Sequence, residues 1–500
     1  MNRFPLVLIL LLLLAGCQGT LPVSVTPVTP PAVAVVPAVT LAATTPAPRP
    51  ASSPTAPSAR PVTTAPTHPA PAATITPRPA PTPSLPFGLE QAHLLAPIVG
   101  SANAFGSTRI PADPSAFTAD NTVRSDPGAF RGSRERVGQA LEQGRVAFVL
   151  EIDEKDAPEV VAAKARALAT MSPTARPALI IIGNELNLRR MADYPVETYY
   201  AQLRAAYDAV KAVAPDVQIS TDGQNYWEGA PFEHPMADPN ASNRLRALLR
   251  LFERDQWTPD VITIHVFDST FSPGDPREVY SLVGRTRFVK DILGGYNLPR
   301  LPALFVGEFG LPVADPIPAA QQGKYWRFFI TEREQADLAF LAGAWSAATE
   351  TPLNYFGGVD TPREGLRRNE RGEIVEGVYG LVDRDDSRPR PAFAAYQRAQ
   401  ALLRGARGQI VSDGRNGTGS ICFTPAHGGL VCIAQATTGR PALFISDPLP
   451  PDTRFRVEDV LGQPIANAGV QDRTGRITVD LPGAPAQKTG GPVRVLIVEP

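Results

Sequence analysis

The chain has 500 residues, of which 43% are hydrophobic and 19% charged, enough apolar material for two or three domains. Lys+Arg number 48 and Asp+Glu 49, a formal net charge of -1, so no general field recruits nucleic acid or anionic lipid. There are only five histidines, and no HExxH, G-x-S-x-G or P-loop pattern occurs, which sets aside zinc-hydrolase, serine-elbow and P-loop chemistry and implies no metal or organic cofactor.

In chain order, the first element is a targeting segment. Arg3 supplies a positive start, and Leu6 to Leu14 form an apolar run too short to span a bilayer comfortably. The run ends Leu14-Ala15-Gly16-Cys17, which resembles the lipobox of bacterial lipoproteins, where cleavage precedes the Cys and the thiol is lipidated. An ordinary signal peptide that contains a Cys is the other reading. With Gln18 after the Cys, no inner-membrane retention Asp is present, which favours the outer membrane of a two-membrane cell. The expected place is the cell envelope, with the folded part outside the cytoplasm. Residues 18–86 are rich in Pro, Ala and Thr, cannot bury a core, and read as a disordered, semi-rigid linker.

From Phe87 to Leu403, strand-length apolar runs alternate with helix-period segments. Eight strands are predicted, at Phe87–Glu90, Ser107–Pro111, Val146–Asp153, Leu179–Glu185, Val217–Asp222, Val261–Asp268, Leu304–Glu308 and Leu353–Phe356. The middle ones are apolar throughout, as parallel strands covered on both faces should be. The clearest helices are Val196–Ala214, ended by Ala214-Pro215, then Arg244–Arg254 and Glu334–Thr349. The expected fold is α/β, a (β/α)₈ barrel over 87–403. A doubly wound sheet is the rival, but no Gly-rich phosphate turn follows the first strand.

Residues 404–500 lose the helix period. Short strands near 420–424, 429–436, 441–446, 454–460, 475–481 and 492–498 predict a small β-sandwich-like accessory domain, with Phe423, Phe444 and Phe455 in its core. Cys422 and Cys432 flank a His-Gly-Gly turn. They are either a disulfide across a hairpin, which an exported protein permits, or a buried pair of thiols.

Barrel strands deliver their C-terminal side chains to one face. The fourth predicted strand ends Gly183-Asn184-Glu185 and the seventh ends at Gly307-Glu308. A Glu directly after buried aliphatics is costly unless it is paired or functional. Cleavage of a glycosidic bond with retention uses two carboxyl groups about 5–5.5 Å apart, one protonated and one ionised.

GNELN followed by VGEFG resembles clan A of the retaining glycoside hydrolases, the cellulase and β-xylosidase type of barrel. The resemblance implies Glu185 as acid/base, Glu308 as nucleophile and Asn184 on the substrate's 2-hydroxyl. It also implies Arg109 beside the nucleophile and His265 in the active site; each of these two has a structural reading as well, an ion-pair partner or a core histidine. Tyr226 and Trp227 are candidates for sugar stacking or for rim packing, and Tyr355 stands with Asn354 and Phe356 where the clan often has a Trp. Phe267 departs from the pattern, since a Tyr that bonds the nucleophile often stands there. Glu151, Asp153, Asp222, Asp268 and Asp360 read as loop polarity or support for the site. The expected function is therefore a lipid-anchored retaining glycosidase acting on a β-linked glycan. The alternative is a non-catalytic carbohydrate-binding surface lipoprotein with a degenerate barrel.

Overall fold

The structure is a computed structural model, which describes residues 87–89, 107–112, 122–124, 131–133, 145–150, 152–170, 176–186, 194–225, 241–271, 281–313, 329–356, 368, 372, 378–383, 388–483 and 490–500. Cys17, the linker to residue 86, Glu151, Tyr226, Trp227 and Asp360 lie outside the described residues, and Arg109 is described by its backbone alone.

The strands are β1 (Phe87–Leu89), β2 (Ser107–Ala112), β3 (Thr122–Arg124), β4 (Arg131–Ser133), β5 (Arg145–Leu150), β6 (Leu179–Ile182), β7 (Gln218–Ser220), β8 (Gln224–Asn225), β9 (Val261–Val266), β10 (Ala303–Phe309) and β11 (Leu353–Tyr355). Six helices accompany them among the described residues: α1 (Pro158–Ala169), α2 (Val196–Lys211), α3 (Ala241–Arg254), α4 (Leu282–Gly294), α5 (Glu332–Thr349) and α6 (Pro391–Leu403). The sheet order is β1-β11-β10-β9-β7-β6-β5-β2, and every pairing along it is parallel. The six strands β5, β6, β7, β9, β10 and β11 curl into a half-barrel, and each is followed by a helix. β2 and β1 extend the sheet at its two edges.

Strict alternation sorts the side chains. Ala147, Val149, Leu179, Ile181, Val261 and Phe305 form one cluster on the concave face. Their neighbours Phe148, Leu150, Ile180, Ile182, Ile264, Leu304 and Val306 join the core beneath the helices. Burial on both faces is why these strands read as unbroken aliphatic runs. Helix α2 buries Tyr199, Leu203, Ala206 and Val210, the expected stripe, but stops at Lys211. Ala214 precedes Pro215, and a residue before proline is pushed out of the helical region. Helix α5 starts two residues earlier than expected, because Thr331 and Glu334 form a reciprocal capping box.

After α6 come β12 (Arg407–Asp413), β13 (Thr418–Thr424), β14 (Leu430–Ala436), β15 (Ala442–Ile445), β16 (Phe455–Glu458), β17 (Gly469–Gln471), β18 (Ile477–Leu481) and β19 (Arg494–Val498). They form two antiparallel sheets, β12-β13-β14-β19-β16 and β15-β18-β17. Ile421, Phe423, Val431, Ile433 and Val495 add to the core beneath the helices of the half-barrel, whereas Cys432, Ala434, Phe444, Val479 and Leu496 form a second core. Among the described residues, both sets of sheets belong to one compact unit. Cys422 and Cys432 stand directly opposite in the β13–β14 ladder and are joined as a disulfide. That resolves the two readings of the pair.

Where α5 meets β19, Asp337 is 3% exposed. It accepts a hydrogen bond from the Val493 N–H, with Arg333 at 3.6 Å and Arg494 and Asp459 nearby. Burial pushes its carboxyl up to about 7. An unfolded Asp ionises near 3.9, so between about pH 4 and pH 7 the unfolded chain loses a proton that the folded chain keeps, and stability falls as pH rises through that window. Asp337→Asn retains an acceptor for Val493 and cannot ionise. Its denaturation midpoint, measured from pH 5 to 8, is expected to gain on the unaltered protein progressively as pH rises. A constant difference across that range contradicts the assignment.

Candidate active site

Strand β6 ends in a turn rather than running on. Gly183 has φ 87° and Glu185 has φ 50°, both left-handed. A side chain on Gly183 would meet Leu186 Cδ1 at 2.8 Å, so glycine is required there for conformation and for space. For Glu185 the same backbone region costs about 1–3 kcal/mol, a strain that persists only when its surroundings impose it. They do so here. Gly183 N–H donates to Leu150 O at 2.8 Å, Asn184 bridges to Gly223, and Glu185 N–H donates to Gly223 O at 3.1 Å. Leu186 N–H donates to the Asp222 carboxylate at 3.1 Å.

Strand β10 departs from regularity differently. Val306 pairs with Ile264 but Glu308 pairs with His265, so Gly307 is an extra residue, a bulge. Phe305 faces the concave side and Val306 the helices. Without the bulge Glu308 would follow Val306 toward the helices; with it, Glu308 shares the face of His265 and Phe309 returns to the helix core.

His265 is the meeting point. Its Nδ1 lies 2.9 Å from Glu185 Oε1 and 3.5 Å from Glu308 Oε2. The imidazole is fully buried, while the Glu185 and Glu308 side chains are 12% and 7% exposed. The ring occupies space left by two glycines. A Cβ on Gly223 would lie 2.0 Å from His265 Nε2, and one on Gly307 would lie 3.3 Å from the same atom and 2.7 Å from Thr263 Cγ2. One donor atom from each of Glu185, His265 and Glu308 falls within 4.8 Å of the others. This set could hold a cation, and the His265–Glu185 hydrogen bond accounts for the same closeness without one.

Beneath the turn is a buried polar layer. The Tyr199 hydroxyl donates to Ile182 O at 2.9 Å and accepts from Asp222 N–H at 2.6 Å. Asp222 also accepts from Gln224 Nε2 at 2.6 Å. Burial raises the Asp222 carboxyl, while Arg244, Gln224 and the Leu186 N–H oppose the rise. Next to the site, burial pushes Asp268 up to about 6, opposed mainly by the Ser269 N–H. A wall of rings stands beyond His265: Phe267, Phe356 and Tyr379 meet edge to face at 5.0–5.9 Å.

The structure thus brings Glu185, Glu308 and His265 together, with Asn184 half-buried on the same turn. Arg109 is in register with Ala147 through its backbone. Tyr355, a substrate-binding candidate standing with Asn354 and Phe356 where the clan often has a Trp, is fully buried. Leu353 and Tyr355 are paired with Val306 and Phe309 and are buried in the helix-side core, so alternation places Asn354, not Tyr355, on the concave face. Gly223 and Gly307 were not singled out from sequence. Their signal was a glycine immediately after Asp222 and immediately before Glu308, at strand ends where a strand gains nothing from glycine.

No family profile matches the chain, and no curated protein matches it. Solved structures do. A family 39 glycoside hydrolase from the gut symbiont Bacteroides cellulosilyticus WH2 is similar with a TM-score of 0.54 at 15% identity, over 83% of this chain and 81% of that one. The GH51 arabinofuranosidase from Xanthomonas axonopodis pv. citri is similar with a TM-score of 0.50 at 11% identity, over 79% of this chain and 88% of that one. What is shared at these identities is the fold.

The glycine seat of His265 is directly testable. Gly223→Ala forces the ring to move and is expected to cost about 1–3 kcal/mol, as overpacking of a tight interior does. Gly294→Ala, where nothing lies within 4 Å of the added methyl, is expected to be neutral or slightly stabilising in the same denaturation experiment. Equal effects at the two positions contradict the packing described.

Proposed function

We propose that this chain is a retaining glycoside hydrolase acting on a β-linked oligo- or polysaccharide. The observation that carries the proposal is the convergence of Glu185 and Glu308, from strands that are not neighbours in the sheet, on one imidazole within 4.8 Å. That closeness suits the short carboxyl separation of retaining enzymes, about 5–5.5 Å, better than the about 6.5–9.5 Å that leaves room for water in inverting ones. The two solved structures that share the fold bear glycosidase names, which supports the same class of activity.

In this reading Glu308 attacks the anomeric carbon while the bond to the leaving oxygen breaks and Glu185 gives that oxygen its proton. A glycosyl-enzyme on Glu308 results. Glu185, now ionised, takes a proton from water as the water displaces Glu308 and releases the sugar. His265 touches both carboxyl groups and sets their spacing. Asn184 and Arg109 would bind the substrate and hold Glu308 ionised, and Tyr226 and Trp227 would offer stacking surfaces.

The same proposal includes closure of the sheet into a full (β/α)₈ barrel over 87–403, which the packing of β1 beside β2 supports. It also includes a signal segment lipidated at Cys17, a linker over 18–86, an accessory β-domain over 404–500, and a cell-envelope location with carbohydrate as partner. No nucleic-acid partner is proposed.

A second reading, a carbohydrate-binding protein without turnover, rests on Phe267. Its ring is engaged with Phe356 and Tyr379 and offers no hydroxyl to Glu308. Incubation with a panel of 2-fluoro aryl glycosides followed by peptide mapping separates the two. The expected outcome is a 2-fluoroglycosyl group on Glu308 and time-dependent loss of activity. No label and no turnover across the panel, with measurable glycan binding, supports the second reading.

A further inference from the structure

The polar layer beneath β6 has a task that the two carboxylates alone do not explain. Glu185 is held in a left-handed conformation, and bonds to neighbouring strands fix both sides of the turn that carries it. Its N-terminal side is fixed by the Gly183–Leu150 and Glu185–Gly223 backbone bonds. Its C-terminal side, Leu186, is fixed by the Asp222 carboxylate. Asp222 is fully buried and is not part of a regular ladder, because the fifth strand of the barrel breaks there: β7 ends at Ser220 and pairing with β9 resumes only at Gln224. The break lets the Asp222 side chain turn toward β6, and the Tyr199 hydroxyl stitches Asp222 N–H to the last carbonyl of β6. Thr221 Oγ1 takes up the Thr263 N–H at 3.3 Å beside the break.

We propose that Asp222 is a positioning residue for Glu185: its carboxylate anchors the Leu186 N–H and thereby keeps the acid/base aimed at the leaving oxygen. The inference rests on the reading of Glu185 as acid/base. It concerns proton transfer and not the nucleophile, because Glu308 is placed by the β10 bulge. Loss of the anchor therefore lowers kcat/KM, which reads the first step, only for substrates whose leaving group needs a proton.

Gln224 supplies a built-in control. Its Nε2 donates to Asp222, while its Oε1 is buried with no hydrogen-bond partner among the described residues. In Asp222→Asn the new amide oxygen can accept from Leu186, and the new amide N–H can donate to Gln224 Oε1 once that amide turns over. Asp222→Ala leaves the Leu186 N–H buried and unanswered.

The test compares Asp222→Ala, Asp222→Asn and the unaltered protein on phenyl and 2,4-dinitrophenyl glycosides of a sugar that the unaltered protein cleaves. Phenolate needs acid assistance to leave; dinitrophenolate does not. For Asp222→Ala, kcat/KM on the phenyl substrate is expected to fall about 10- to 100-fold, the scale of a misplaced general acid. On the dinitrophenyl substrate the same variant is expected to retain kcat/KM, and Asp222→Asn is expected to recover most of the phenyl loss. Equal losses on both substrates, or no recovery in Asp222→Asn, overturn the proposal and leave Asp222 a structural residue. Thermal midpoints of both variants identify any simple failure to fold, in which case Asp222→Ser provides the second truncation. If the unaltered protein cleaves neither substrate with any sugar, it is the glycosidase reading that fails.

Discussion

Side chains on a regular strand alternate faces, and the site depends on two places where the backbone departs from regular strand geometry. A regular β10 would send Glu308 into the helix-side core behind Val306. At the end of β6 a left-handed turn sets Glu185 so that its carboxylate reaches His265 Nδ1 at 2.9 Å. The bulge at Gly307 and the left-handed turn at Gly183–Glu185 solve these problems by different means, one with an added residue and the other with positive φ. Both end with a carboxylate against the same imidazole.

His265 makes that meeting specific. A buried ring held against Gly223 and Gly307 has little room to shift, so its Nδ1 acts as a fixed point for two side chains from different strands. Burial of the three groups and the strain at Glu185 are unfavourable to folding, and the surrounding aliphatic core offsets them; one fully buried Ile or Leu contributes about 1.5–3 kcal/mol. Rigid support is what the proposed reaction needs, since a displacement of about 1 Å can cost on the order of 100-fold in rate. The C-terminal sheets contribute to that support through shared core residues such as Ile421 and Val495 and through ion pairs such as Arg287–Asp413.

Much of this was legible in the sequence because period and composition are local. Eight strands were expected where β1, β2, β5, β6, β7, β9, β10 and β11 stand, and for the middle ones burial on both faces leaves a plain aliphatic signature. Glu185 and Glu308 were visible as charges ending such runs. The bulge was not, because it is defined by the register of β10 against β9 and has no pattern of its own. The same blind spot explains Tyr355: the strand was located, but its face depends on pairing with Phe309. The glycine seats of His265 belong to two other strand ends, so only the fold brings them to the ring. β12, whose RGQIVSD alternates between exposed and half-buried, and the three-residue β17 carried too little apolar signal to be read as strands.

The central claim of the proposal is that Glu308 attacks the anomeric carbon while Glu185 moves the proton, so that two displacements occur at one carbon. Proton NMR of the first-formed product during hydrolysis of an aryl glycoside reads that outcome directly. The account predicts that the initial sugar has the same anomeric configuration as the substrate, before mutarotation. An initial product of inverted configuration would contradict it.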